Sequence, residues 1–94
     1  MTLKLSDVLE RVDEGYMHYC DGCDSYHRIN VDKPNAHTGA QWTFDGNVEC
    51  PTFSPSINIV GQCHYFIQQG NSIYCTDSKH NLAGKTVPLP KIPD

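Results

Sequence analysis

The chain has 94 residues, 38% hydrophobic and 19% charged, with a formal net charge of −4 at pH 7. That length gives one domain whose thin core removes about two-thirds of the unfolded surface from water, and that balance excludes a disordered chain. Only 7 Lys+Arg are present and no segment gathers them, so the electrostatic footprint of a DNA- or RNA-binding protein is missing and a protein partner fits the acidic surface better.

The N-terminal stretch MTLKLSDVLERVDEG has no apolar h-region or cleavage site, and no run in the chain approaches the ~20 apolar residues that cross a bilayer. The chain therefore reads as cytoplasmic, with no membrane partner. Leu5, Val8, Leu9 and Val12 recur at helical spacing, and Asp7 stands three residues before Glu10 as a capping box. This predicts a short amphipathic helix over Ser6–Asp13, ended by Gly15. Residues 1–15 are then a helical extension on a single β-rich, zinc-binding domain over residues 16–94.

Beyond Gly15, aromatic and β-branched residues come in short runs punctuated by Gly, Pro, Asn and Asp, the pattern of strands and turns. Strands are predicted at Tyr16–Tyr19, Tyr26–Val31, Gln41–Phe44, Ile57–Val60, His64–Gln69 and Ser72–Thr76. Gln69-Gly70-Asn71 reads as a hairpin turn, Asp45-Gly46 as a second turn, and Asp32–Gly39 as a polar loop. The prolines of the tail VPLPKIPD exclude it from a central strand. The fold class is mostly β (α+β): a small antiparallel-sheet domain with a zinc-knuckle-like turn and one short N-terminal helix.

Five cysteines, an odd number without an export signal, argue for metal ligation or free thiols over a disulfide framework. Cys20 and Cys23 flank Gly22 in a C-x2-C turn, which lets two sulfurs approach one ion at about 2.3 Å. The strand character of SYHRINV downstream speaks against a thioredoxin-like redox site. The other half of the site is sought in QCHYFIQQGNSIYCTDSKH, where Cys63 and His64 open one strand and Cys75 and His80 flank the end of its partner. Adjacent strand residues face opposite ways, so Cys63 and His64 do not both reach one ion unless the strand bends. The candidate zinc ligands are Cys20, Cys23, Cys63, His64 and His80. Cys75 remains an alternative, Cys50 reads as a free thiol, and His18, His27 and His37 read as structural or surface residues.

The segment ECPTFSPSI fixes a shaped loop through its two prolines, with Thr52, Ser54 and Ser56 free to satisfy nearby carbonyls. It is either a rigid edge crossing or a binding rim. Asp77, Ser78 and His80 suggest a Ser/His/Asp hydrolase only weakly, because triads are assembled from separate elements and no nucleophile elbow is present. A zinc-activated water with Asp77 or Glu49 as general base is the more physical enzyme reading.

The order C-x2-C, PTFSPSI, CHYFI, then D-S-x-H-x-LAG-x-TV-x-LP, over about residues 16–90, resembles a family of small phage and prophage proteins. Some of these carry the name ammonia monooxygenase, and similar proteins stand beside bacterial ubiquitin-like conjugation genes as predicted metal-binding proteins. The resemblance implies a bacterial host, recurrent polar residues at Cys20, Cys23, Cys63, His64, Asp77 and His80, and a shaped loop at Thr52, Ser54, Pro55 and Ser56. Some relatives carry cysteine at the position of Ser78, and the segment before Gly15 is outside the pattern. An oxygenase would need several histidines, or two and a carboxylate, around an open site, whereas two soft thiolates favour zinc. The leading expectation is a small zinc module whose metal is structural and which acts by binding another protein, so an enzyme is not the first reading. The alternatives are a zinc-dependent hydrolase of peptide or isopeptide bonds and an inhibitor of a host defence system.

Overall fold

Residues 3–59 and 61–93 are described here from a computed structural model. Among them, β1 (Leu3–Lys4), β2 (Glu10–Val12), β3 (Gly15–Cys20) and β4 (Ser25–Asn30) form one antiparallel sheet in that order. The strands β5 (Thr43–Phe44), β6 (Phe53–Ile59), β7 (Cys63–Gln68), β8 (Asn71–Tyr74) and β9 (Thr86–Pro88) form a second, again in chain order. Every pairing is antiparallel to its neighbour in sequence, so turns, and not crossovers, set the topology. The core is shared: Leu9 from the turn before β2 and Cys20 and Ile29 from the first sheet join Phe53, Ile57, Cys63, Tyr65, Ile67 and Tyr74 from the second.

The expected N-terminal helix is not formed. The amides of Leu5 and Ser6 donate to the carbonyl of Leu9 at 2.9 and 3.2 Å, the reverse of the helical sense, in which a later N–H donates to an earlier carbonyl. Ser6 Oγ accepts from the Val8 amide, and the chain then enters β2, which pairs with β3. Leu9 and Val12 are buried as the helix required, but a turn followed by a strand buries them equally well. A helix of two turns has little stability of its own to oppose a sheet that supplies ladder partners.

The other expectations place strands where strands lie, with shifted ends. Gln41 and Trp42 fall outside β5, the Trp42 amide bonding to the Asn30 carbonyl at 2.8 Å, and β6 begins earlier than expected, within the proline segment. The end of the Ile57–Val60 strand at Val60 lies outside the described residues. Gln69 and Gly70 have φ of 49° and 80° and join Gln68 to Asn71 as a two-residue turn, the primed geometry that matches strand twist. Among the described residues of the proline-rich tail, Val87 and Pro88 end the edge strand β9. No helix long and apolar enough to cross a membrane occurs among the described residues.

Candidate active site and metal centre

Strand β7 positions both parts of the site. Its burial alternates, with Cys63, Tyr65 and Ile67 inward and His64, Phe66 and Gln68 outward, as a strand period of two requires. Cys63 and His64 therefore serve opposite faces.

On the inner side, Cys63 meets Cys20 at the end of β3, Cys23 in the turn to β4, and His80 in the loop after β8, with one ligand atom of each within 4.8 Å of the others. Cys63 Sγ lies 3.1 Å from His80 Nε2. Gly22 makes this approach possible: a Cβ there would stand 2.2 to 2.5 Å from three atoms of the His80 ring. The Tyr74 hydroxyl lies 3.2 Å from Cys20 Sγ. Burial first, then repulsion from the neighbouring sulfurs, pushes the Cys63 thiol well up, and burial with Cys20 raises Cys23. The Leu82 amide donates to His80 Nδ1, so the neutral ring carries its proton on Nε2, toward Cys63. A cation would displace these protons and reverse the charge balance of the cluster. Three sulfurs and one imidazole in this arrangement are compatible with a metal ion.

His64 does not join that cluster. It lies on the outer face with Asp77 and Cys75, and both of its ring nitrogens are engaged. Nδ1 is 3.2 Å from each carboxylate oxygen of Asp77, and Nε2 is 3.1 Å from Ser56 Oγ. Hydroxyl, imidazole and carboxylate thus stand in the order of a nucleophilic triad.

Two local features build that order. Between Phe53 and Ile57 the chain of β6 advances four residues while β7, from Ile67 to Tyr65, advances two. This bulge absorbs Pro55, which has no amide to give a ladder, and delivers Ser56 diagonally to His64, whose direct partner is Asn58. The second feature is Ser78, which is 7% exposed. Its Oγ accepts from the His64 amide at 3.0 Å and donates to the His64 carbonyl at 2.8 Å, while the Cys75 amide donates to the same carbonyl. The loop carrying Asp77 is thereby fastened to the backbone of His64.

Cys75, the alternative metal ligand, lies with His64 and Asp77 and outside the group of Cys20, Cys23, Cys63 and His80, and its thiol is raised by burial and by Asp77. Cys50 and His37 are exposed and apart from both groups. His18 and His27 are buried around Tyr65, whose hydroxyl lies 2.6 Å from His18 Nε2 and 2.8 Å from His27 Nδ1. Beside Ser56 opens a groove of about 760 Å³, lined among others by Tyr26, Arg28, Trp42, Pro55, Ile57 and Asn58.

From the sequence, Ser56 is only a hydroxyl of the shaped loop and His64 one of five candidate ligands; the structure places the two side by side, outside the group of Cys20, Cys23, Cys63 and His80. The alternation rule held the signal: with Cys63 turned to Cys20, Cys23 and His80, His64 faces the opposite side, where the hydroxyl of Ser56 on the neighbouring strand meets it.

A family model described as bacterial ubiquitination-like system serine protease (BubE) matches residues 3–75, a span that includes Ser56 and His64 and ends just before Asp77. No curated protein and no solved structure matches the chain.

Proposed function

The chain belongs to the BubE family, described as bacterial ubiquitination-like system serine protease, and we propose that it is a serine hydrolase of peptide or isopeptide bonds. Ser56 is the nucleophile, His64 the general base and Asp77 the group that orients it. A zinc ion held by Cys20, Cys23, Cys63 and His80 is structural. The observation that carries this reading is the double engagement of His64, Ser56 on Nε2 and Asp77 on Nδ1. A histidine placed between a hydroxyl and a carboxylate in this way is held as a general base is, and it lies outside the group of Cys20, Cys23, Cys63 and His80.

In the reaction, Ser56 Oγ attacks the carbonyl carbon while His64 Nε2 takes its proton. Asp77 holds Nδ1–H and stabilises the imidazolium. The tetrahedral adduct collapses as His64 returns the proton to the leaving amine. Water, deprotonated by His64 in turn, then hydrolyses the acyl-serine ester. Zinc, when bound, would supply a cross-link between the β3–β4 turn, β7 and the loop after β8, and with all four protein donors engaged it would have a structural role rather than activate a water. That closure separates this reading from a zinc hydrolase, in which Asp77 would be a general base.

A fluorophosphonate tests the mechanism without a known substrate, because it phosphonylates a serine, with loss of fluoride, only where a base activates it. Its second-order rate of modification should fall by about 10³-fold or more in His64→Ala and Asp77→Asn, as loss of a triad member does elsewhere. An unchanged rate in both variants would remove the triad.

A further inference from the structure

Two sheet edges face the groove beside Ser56. β4 is the last strand of the first sheet, and β5 covers β6 only at Phe53 and Ser54, so among the described residues β6 beyond Pro55 has β7 on one side and no strand on the other.

The direction of the backbone groups follows from the ladder. The amide and carbonyl of His64 go to Ser78 and Cys75, on the side away from β6. In an antiparallel pair, directly opposed residues either exchange both bonds or exchange none. Asn58, opposite His64, therefore turns its N–H and C=O away from β7, and Ser56, two residues earlier, does the same. The indole of Trp42 indeed donates to the Ser56 carbonyl from that side at 3.2 Å. On the far wall, the Asn30 carbonyl accepts from the Trp42 amide outside the sheet. By the same alternation, Arg28 and Tyr26 turn their backbone groups outward. All of these residues line the groove, with Ile57, Ile59 and Pro55 as its apolar surface.

We infer that this groove takes the segment of substrate next to the scissile bond as an added β-strand, bound through the outward N–H and C=O of Asn58 on the open edge of β6. The inference rests on the triad reading. Its occupant is an extended, unstructured peptide segment with uncharged, small or apolar side chains. Backbone pairing gives such a segment its register and the apolar lining selects its side chains. The stretch from Ser56 to Ile59 accommodates about four residues at ~3.3 Å each. A folded surface would not enter between two edges, so cleavage is directed to tails and linkers.

The test uses the zinc-loaded chain and three phosphonates that attack the same serine: acetyl-Ala diphenyl phosphonate, acetyl-Ala-Val-Ala-Ala diphenyl phosphonate, and the latter N-methylated at its internal amides. The tetrapeptide reagent should inactivate about tenfold faster than the single-residue one, a gain of the size that one or two net backbone hydrogen bonds provide. N-methylation, which removes the pairing amides and keeps the side chains, should abolish that gain. Equal rates for the one- and four-residue reagents, or an undiminished rate after N-methylation, would overturn the strand-addition inference. A fluorophosphonate control separates the two levels of the argument. If it labels Ser56 while the peptide gain is missing, the groove inference alone fails, and if it does not label, the triad and the groove fall together.

Discussion

Gly22 shows how a single residue conditions the metal cluster. The C-x2-C spacing was readable, but the reason for a glycine inside it was not, because the group that fills the space above it, the His80 ring, arrives from 58 residues further along the chain. Gly22→Ala should drive that ring off the cluster, so the purified variant should retain well below one metal per chain by elemental analysis. Full retention would mean that His80 is not needed there. The histidines around Tyr65 make a pH prediction. His18 Nδ1 faces the Tyr19 carbonyl and so donates to it, which makes Nε2 the acceptor of the Tyr65 hydroxyl proton. His27 Nδ1–H then donates to Tyr65, leaving the buried His27 Nε2 without a partner. Burial first, then His27, lowers His18 to about 3, and burial first, then His80, lowers His27 to about 4. Both folded values lie below the unfolded 6.5, so the stability they contribute is complete above pH 6.5 and is lost as the pH falls, down to about 4 for His27 and about 3 for His18. The thermal midpoint should therefore decline below pH 6.5, and His27→Gln should make that decline shallower. An identical decline in the variant would show that other groups govern acid lability.

At the level of elements, the alternation of β7 keeps the two proposed functions apart. Cys63→Ser should lose metal and thermal stability, whereas His64→Ala should keep its metal and its thermal midpoint within a few degrees and lose only reactivity toward fluorophosphonates. Parallel loss of both properties in both variants would contradict the separation. The loop fastened by Ser78 belongs to the same scale. Ser78→Ala leaves the His64 amide and carbonyl short of one partner each, which costs about 1–3 kcal/mol for a buried group. It should lower the fluorophosphonate rate through misplacement of Asp77, with recovery in Ser78→Thr, which restores the hydroxyl. The strands were legible because their turns carry Gly, Asn and Pro at positions that demand them. The helix was misread because Leu5, Val8, Leu9 and Val12 satisfy a helical period and a turn-plus-strand alike, and only pairing with β3 decides between them. Ser56 was hidden for a related reason: the β6 bulge adds two residues on one strand, and register shifts of that kind leave little trace in composition.

Across the whole molecule, the first sheet contributes Cys20 and Cys23 and the second contributes Cys63, so the cluster joins the two sheets where a small domain has little core to hold them together. Removing the ion with a chelator should lower the thermal midpoint by at least about 10 °C, the shift that roughly 2 kcal/mol produces in a domain of this size. A midpoint insensitive to chelation would deny the metal a structural role. The same arrangement places the proposed triad outside, on the face away from the cluster, and opens the groove where the two sheets expose their edges. Metal for architecture and hydroxyl chemistry for catalysis is the central claim, and the address of a covalent adduct tests it most directly. After reaction of the zinc-loaded chain with a fluorophosphonate, digestion and mass mapping should find one phosphonyl group, on Ser56. An adduct at another residue, or no adduct at all, would contradict it.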